Sequence, residues 1–468
     1  MPTDRMSPLD ASFLHIEDDV THMHIGAISV FEGPPPPYEH LLAMVAGKIS
    51  QVPRYRQVVR EVPLALGRPV WVTDPHFNLE YHLRHSALPQ PGGMPELRRL
   101  VGRVMSQQLD RRKPLWEMWM VEGLEGGAWA VISKAHHAMV DGISGTDLLA
   151  LLLDITPDAQ PVEPVPWEAE PMPSAVQLAV DAVVERTISP FEQGRTVRAL
   201  TRLPERAVAE ISKAVTGFRA AGGVVRHSAG GLNGPIGPHR RWGGTVTTVD
   251  GVRRVRKSLG GTFNDVLLAA ITRGFRDLLT SRGQPLDMPV RSMIPVSLRP
   301  REGAGPATSD GTVGNRVSAM FADLPVHLED PAEVLAAVSE QLAGLKESKQ
   351  ALAGEVLTSL SGFTPPVLLA VGSRVAARAQ KQVQTLTTNV PGPQFPLYAA
   401  GRRMTHAYPY VPLAAGLRIG VGMFSYDGEV TFGVTADYDS SPDYEIVLQG
   451  IDAGMRDLLA AAERSETG

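Results

Sequence analysis

Short apolar runs of strand length alternate with polar or glycine-rich stretches in the first third of the chain. HIGAISVF is one such run, and apolar residues at helical spacing follow it from Tyr38 to Ile49. MWMVEGL and AWAVISK are two further runs, and the glycines of the LEGGA stretch where they meet favour a turn. These patterns predict several strands joined by short connections, with one helix among them.

A polar loop and a second apolar helix are expected after AWAVISK. Ser144 and Asp147 stand at the spacing of a capping box, in which each residue bonds the other's backbone at a helix start. The apolar segment DLLALLLDI follows them. The pattern predicts a strand, a polar loop and a helix in that order.

Proline is dense between Pro157 and Pro173, which forbids regular helix or central strand and favours an extended linker. Residues 174–222 are then amphipathic with helical periodicity, until GGLNGPIGPHRRW interrupts the pattern with glycine and proline. We expect a domain boundary at the linker. The expected units are an N-terminal lobe of residues 1–158, a linker with bridging helices of residues 159–240, and a C-terminal lobe of residues 241–468.

The C-terminal lobe carries its own helical and hairpin signals. Its first long helix is expected around Leu267–Leu278, with apolar residues on one face, and Arg282-Gly283 ends it. Asp427-Gly428 lies between two strand-like runs and suits the positive backbone angles of a tight hairpin turn. A closing helix is expected from Tyr444 to Glu463.

Composition narrows the class of protein. A chain of 468 residues with 43% hydrophobic and 20% charged residues is typical of a globular protein of two domains. The net charge of -5 weighs against nucleic acid as a partner. The absence of cysteine excludes disulfides, thiolate nucleophiles and cysteine-ligated metals. Because the opening segment MPTDRMSPLD lacks an apolar signal core and no stretch is apolar for long enough to span a bilayer, we expect a cytoplasmic protein.

The segment HHAMVDG, residues 136–142, is the strongest candidate for chemistry. Imidazole titrates near neutral pH, with an ordinary pKa of about 6.5, and can remove the proton of an alcohol. Because side chains alternate along extended backbone, only one of His136 and His137 should face a cavity. Asp141 would orient the loop, and Gly142 would allow a close backbone approach. A satisfied polar turn is the alternative, whereas adjacent histidines are poorly placed to share one metal ion.

HHAMVDG matches the HHxxxDG signature of the bacterial wax ester synthase/diacylglycerol acyltransferase family, related to chloramphenicol acetyltransferase and peptide-synthetase condensation domains. Further segments that resemble the family span nearly the whole chain: SPLDASFLHIE, Pro114-Leu115-Trp116, Asn264-Asp265, PVSLRP, VGNRVSAMF and TNVPGP. The resemblance implies an α/β fold with mixed sheets, in two acetyltransferase-like lobes with an active-site tunnel between them. It also implies that His137 is the general base and that no metal or prosthetic group is required.

The resemblance suggests roles for residues outside the signature. Asp141 is expected to form an ion pair with Arg299, although a solvated arginine at a strand end is an equal alternative. Asn264 could donate to a developing oxyanion or position the alcohol, beside the simpler explanation that Asn264 and Asp265 begin a helix.

Two other segments receive weaker assignments. Pro114, Leu115 and Trp116 either shape the substrate cavity or pack in the core. Asn389, within TNVPGP, is interpreted as part of a rigid turn without chemistry. A stretch with Arg374, Arg378 and Lys381 at helical spacing is compatible with a membrane surface, although solvated charges on a packed helix are the simpler interpretation.

The sequence thus predicts an acyltransferase that moves a long-chain acyl group from acyl-CoA to diacylglycerol, with fatty alcohols, which would give wax esters, as a second class of acceptor. Contact with a membrane or a lipid-droplet surface is compatible with such substrates. A same-fold transferase for another alcohol, or a non-catalytic lipid-binding protein, remains an alternative.

Overall fold

The computed structural model describes residues 4–139, 152–160, 162–167, 171–188, 231–297, 317–347 and 383–467. Its strands are β1 Asp4–Arg5, β2 His24–Phe31, β3 Gln57–Arg60, β4 Val70–Thr73, β5 Leu83–Ala87, β6 Trp116–Glu122, β7 Trp129–His136, β8 Arg240–Thr248, β9 Val290–Ser297, β10 Val317–Leu324, β11 Thr385–Pro391, β12 Tyr398–Ala399, β13 Arg402–Tyr410, β14 Ile419–Tyr426 and β15 Glu429–Asp437. Its helices, numbered over the described residues, are α1 Pro8–Ile16, α2 Tyr38–Ile49, α3 Leu79–His82, α4 Met94–Ser106, α5 Ala175–Ile188, α6 Val249–Leu259, α7 Phe263–Ser281, α8 Pro331–Glu347 and α9 Glu445–Thr467.

The first large sheet has six strands in the order β12-β13-β2-β7-β6-β5. Its central strand β7 is buried along its whole length and ends at His136. The turn that follows β6 contains Gly126 and Gly127, both with positive φ, which lets the chain reverse into antiparallel β7. The LEGGA turn predicted between these strands is confirmed.

The second large sheet also has six strands, in the order β10-β9-β11-β14-β15-β8. β11 runs parallel to both of its neighbours, whereas β14 and β15 form an antiparallel hairpin. Asp427 and Gly428 have φ of 43° and 85° in its two-residue turn. The hairpin predicted from these two residues is therefore confirmed, and so is the mixed α/β class. A separate three-stranded sheet has the order β1-β4-β3.

Strand β13 connects the two halves of the chain. It lies in the first sheet, antiparallel to β2, although it comes more than 350 residues later in the sequence and its sequence neighbour β14 lies in the second sheet. Trp242 of β8 packs in one hydrophobic cluster with residues of helix α4 and of the first sheet. The expected cut near residue 240 therefore does not separate the two sheets, and the domain boundaries stay a prediction.

Several helices agree closely with the periodicity of the sequence. α2 has the bounds expected for it, and α7 ends just before Arg282 and Gly283. The closing helix α9 begins at Glu445 and is packed along α7. The described part of the proline-rich stretch contains no helix before Ala175, and the helical prediction for residues 174–222 is confirmed as far as Ile188. Ser144, Asp147 and most of DLLALLLDI lie outside the described residues.

Candidate active site at the end of strand β7

His136 and His137 mark the point where β7 gives way to a short 3-10 turn, His137–Met139. Their backbone amides continue the pairing of the strand: His136 donates to the carbonyl of Leu115 at 2.9 Å, and His137 donates to the carbonyl of Met23 at 2.8 Å. His136 is buried, whereas His137 is partly exposed. The structure thus places the two rings in different environments.

Each nitrogen of the His136 ring has a polar neighbour. Its Nδ1 accepts a hydrogen bond from the backbone amide of Ala138 at 3.0 Å, so the proton of a neutral ring resides on Nε2. Nε2 lies 3.5 Å from Oε2 of Glu17. A buried ring held between Ala138 and Glu17 can orient the turn.

The ring of His137 has a different neighbourhood. It packs against Phe13, with ring centroids 4.0 Å apart. Its Nδ1 is buried and bonds to no other described residue. Burial of the ring, together with the charge of His136, lowers the pKa of His137 to about 4, against an opposing contribution from the residue's own backbone. His137 is therefore a neutral proton acceptor at physiological pH.

Glu17 is a site residue that the sequence reasoning did not single out. Arg111 donates to Oε2 of Glu17 through Nη2 at 2.7 Å and through Nε at 3.0 Å, and Oε1 accepts the amide of Met23 at 3.2 Å. Burial alone would raise the pKa of Glu17, but His136 and Arg111 outweigh it and hold the pKa at about 2. Its only signal in the sequence is its place in SPLDASFLHIE, because its partners are remote in the chain.

Pro114, Leu115 and Trp116 lie buried beneath the histidine turn. The indole Nε1 of Trp116 donates to the carbonyl of Tyr55 at 2.8 Å, and His82 stacks on the indole at 4.7 Å. Leu115 supplies the carbonyl that pairs with His136. This is the environment of core packing, and contact of these residues with a substrate stays a prediction.

Asn264 and Asp265 lie in the first turn of α7. Asp265 and Thr262 form a capping box, in which Oδ2 of Asp265 accepts the Thr262 amide at 2.8 Å and Oγ1 of Thr262 accepts the Asp265 amide at 3.3 Å. Capping therefore accounts for Asp265. Asn264 has another partner, since its Oδ1 accepts a hydrogen bond from Nδ2 of Asn389 at 3.3 Å.

The assignment of Asn389 to a turn is wrong. Asn389 lies inside β11, paired with β14 on one side, and the turn begins only after Pro391. The two prolines of TNVPGP mark the end of the strand rather than a turn that includes Asn389. The structure adds Asn389 to the surroundings of Asn264.

Other expected site residues cannot be placed. Asp141, Gly142 and Arg299 lie outside the described residues, as do Arg374, Arg378 and Lys381. The Asp141–Arg299 ion pair and the roles of these residues stay predictions. Within the described ranges, no cluster of three or more histidine, aspartate or glutamate side chains could hold a metal ion, and no helix is long and apolar enough to cross a membrane.

Two solved structures have the same architecture as this chain. A wax ester synthase/diacylglycerol acyltransferase from Marinobacter aquaeolei VT8 superposes with a TM-score of 0.68 at 23% identity, covering 98% of this chain and all of the other. The starter condensation domain of rhizomide synthetase superposes with a TM-score of 0.54 at 13% identity, covering 99% of this chain and 95% of the other. At these identities, both show a common fold.

Sequence comparison gives the family. The chain is 35% identical over 467 residues to the probable diacylglycerol O-acyltransferase tgs1 of Mycobacterium tuberculosis, covering 98% of this chain and 96% of that protein. It is 29% identical to tgs2 of the same organism, with 98% and 99% covered. Residues 6–267 match the wax ester synthase/diacylglycerol acyltransferase catalytic domain, and residues 313–458 match the C-terminal domain of the same family. The chain belongs to the wax ester synthase/diacylglycerol acyltransferase family.

Proposed function

We propose that the protein transfers a long-chain acyl group from acyl-CoA to diacylglycerol, giving triacylglycerol and free CoA, with His137 as the general base. The observation that carries this proposal is the contrast within the histidine pair. His136 is buried, with Nδ1 bonded to the amide of Ala138 and Nε2 3.5 Å from Glu17, whereas His137 is partly exposed and has a pKa of about 4. Family membership and the names of the tgs1 and tgs2 relatives support diacylglycerol as the acceptor.

The proposed reaction is a direct transfer. Nε2 of neutral His137 takes the hydroxyl proton of diacylglycerol while the hydroxyl oxygen attacks the thioester carbonyl. The tetrahedral intermediate collapses with cleavage of the carbon–sulfur bond, and the proton on His137 passes to the departing CoA thiolate. One ester and one free thiol are formed for each alcohol and each thioester consumed. Acyl-CoA is a substrate here, and no resident metal or prosthetic group is needed.

Asn264 is proposed to stabilise the negative oxygen of the tetrahedral intermediate through its amide. The bond from Asn389 to Oδ1 fixes which end of the Asn264 amide is the acceptor, so the NH2 group remains the donor. Loss of a comparable donor in other enzymes raises the barrier by about 3 kcal/mol.

Two lipid-related extensions belong to the same proposal. A fatty alcohol in place of diacylglycerol would yield a wax ester by the same chemistry. Peripheral attachment to a membrane or lipid-droplet surface would give access to either acceptor. Helix α5 supports such attachment because Val176 and Val180 are exposed on it, and Leu64 nearby is 90% exposed.

The test is an assay of purified protein with palmitoyl-CoA and either dioleoylglycerol or hexadecanol, in which CoA release and neutral-lipid product are both measured. His137→Ala should abolish product. His85→Ala is the matched control, because His85 lies in β5 on the edge of the same sheet and pairs with Glu122 at the surface. We expect it to keep wild-type activity.

Product in the wild type but not in His137→Ala would support the base and rank the two acceptors. CoA release and product formation that persist in His137→Ala would overturn the role of His137. Absence of product with both acceptors, in folded protein that binds lipid, would favour another alcohol acceptor or a lipid-binding protein without catalysis.

A further inference from the structure

Helix α1 approaches the histidine pair with two side chains. Ser7 caps the start of the helix by accepting the amide of Asp10, and Glu17 is the residue at its C-terminal end. Phe13 and Glu17 are four residues apart, the spacing that brings helical side chains to one face. Phe13 packs on the ring of His137, and Glu17 lies beside the ring of His136.

The carboxylate of Glu17 is buried, and charged or polar groups surround it. Arg111 binds one oxygen with two N–H groups, and the same guanidinium donates to the carbonyl of Leu14 at 2.8 Å. Nε2 of His24 lies 3.6 Å from the other oxygen, and the buried Lys134 adds further positive charge nearby. A carboxylate that is desolvated and anchored in this way has little freedom to move.

The backbone of Met23 connects the same carboxylate to His137. The amide of Met23 donates to Oε1 of Glu17, and the carbonyl of Met23 accepts the amide of His137. One side chain therefore borders the His136 ring directly and reaches the His137 peptide through a single residue. A shift of Glu17 would move both histidines.

We propose that Glu17 is a positioning residue, whose carboxylate, anchored by Arg111, holds the His136 ring and the His137 backbone in the geometry that acyl transfer requires. This inference rests on the proposed role of His137 as the base. Glu17 touches neither substrate nor reacting atoms, so its effect passes through the two histidines.

A glutamine at position 17 removes the negative charge of the carboxylate and keeps nearly the same shape. With its oxygen at the Oε1 position it still accepts from Met23, but its NH2 group then faces the donors of Arg111 and the Nε2–H of His136. With its oxygen at the Oε2 position it keeps Arg111, but its NH2 group then faces the amide of Met23. If His136 moved its proton to Nδ1 to relieve this conflict, it would lose the bond from the amide of Ala138. The turn that carries His137 would shift in either case. Misplacement of a catalytic group by about 1 Å lowers the rate by about 100-fold.

The experiment compares kcat and KM for palmitoyl-CoA in wild-type protein, Glu17→Gln, Arg111→Lys and Glu96→Gln, together with thermal unfolding of each. Glu96 is the matched control because it is also a buried glutamate that pairs with an arginine, Arg99, and accepts a backbone amide, that of Gly93. It lies at the start of α4, remote in sequence from α1 and from the histidine turn.

We expect Glu17→Gln to lower kcat by about 10- to 100-fold with KM within two-fold of wild type, at a temperature where it is folded. Arg111→Lys should lower kcat less, because lysine keeps the charge but loses the two-pronged contact. A variant that combines Glu17→Gln with Arg111→Lys should be no slower than Glu17→Gln alone, because both substitutions disturb the same carboxylate–guanidinium pair. Glu96→Gln should lower the unfolding temperature and leave kcat unchanged.

A kcat within two-fold of wild type in folded Glu17→Gln, with His137→Ala inactive, would overturn the positioning role and leave the proposed function intact. Equal losses of kcat in Glu17→Gln and Glu96→Gln would reduce Glu17 to a structural role. If Glu17→Gln does not fold, an unchanged kcat in Arg111→Lys overturns the proposal. Absence of CoA release in the wild type would instead count against the proposed function.

Discussion

The side-chain amide of Asn389 donates a hydrogen bond to Oδ1 of Asn264 at 3.3 Å and so connects strand β11 to the first turn of helix α7. The two residues are 125 positions apart in the chain. With its oxygen engaged, the Asn264 amide can use only its NH2 group towards a substrate. Asn389 therefore fixes the orientation of a residue for which an oxyanion role is proposed.

Asn389→Ala should lower kcat by about 10-fold, less than Asn264→Ala, because it frees the Asn264 amide to rotate without removing it. The loss of Asn264 itself should cost about 100-fold. The double variant should match Asn264→Ala alone, since residues in one network are not additive. Steady-state kinetics of the three variants provide the measurement.

Asn233→Ala is the control for this series. Asn233 also donates from its side-chain amide, to the carbonyl of Val383 at 2.6 Å, but it makes no contact with α7 among the bonds described. Its alanine variant should lose stability and keep kcat. Additive losses at Asn264 and Asn389 would show that the two amides act separately.

The sequence predicts the local elements of this fold, such as helices and turns. It does not predict which residues far apart in the chain contact each other. Helix α2 and the Asp427-Gly428 turn depend on spacing and backbone preference within a few residues, and both were predicted correctly. Glu17 acts through Arg111 and His136, and Asn389 through Asn264, across separations of 94 to 125 residues. Periodicity contains no information about such pairs. The expected ion pair of Asp141 and Arg299 is of the same remote kind and stays a prediction.

The low pKa of His137 predicts an unusual pH profile. A base with a pKa of about 4 is already unprotonated at pH 6, so kcat/KM should not fall between pH 8 and pH 6, and the acidic limb should appear below about pH 5. A free imidazole would give a limb near pH 6.5. Measurement of kcat/KM between pH 5 and pH 9 distinguishes the two, and an acidic limb near 6.5 would contradict the prediction.

The same shift has a consequence for stability, with a definite sign. His82 is buried, and burial lowers its pKa to about 4 as well. Between pH 6.5 and pH 4 the unfolded chain binds protons at His82 and His137 that the native state does not bind. The free energy of unfolding should therefore fall as the pH falls through this window. Initial rates below pH 6 need a parallel measurement of thermal unfolding, so that lost protein is not counted as lost rate.

The contact between β15 and β13 predicts a severe effect of a small substitution. A Cβ added at Gly433 would lie 1.8 Å from the carbonyl oxygen of Pro409, a backbone atom that cannot move aside. Gly433→Ala should lower the free energy of unfolding by about 3 kcal/mol, at the upper end of typical overpacking. Urea denaturation followed by fluorescence measures the change.

Gly344→Ala provides the comparison, since a Cβ there meets no other atom within 4 Å and alanine favours helix α8. Its stability should be unchanged or slightly raised. Equal stability of Gly433→Ala and wild type would mean that the two sheets can separate at this contact without cost.

The late position of β13 in the sequence affects how the chain can fold during translation. When the ribosome has completed β7 and both histidines, β2 still lacks its partner on one side, because Arg402–Tyr410 has not been synthesised. A nascent chain thus exposes the apolar edge HIGAISVF through most of translation, and such edges pair readily with other chains. Separate expression of residues 1–240 would leave this edge open permanently, so the half that contains the histidine pair is the one expected to depend most on chaperones.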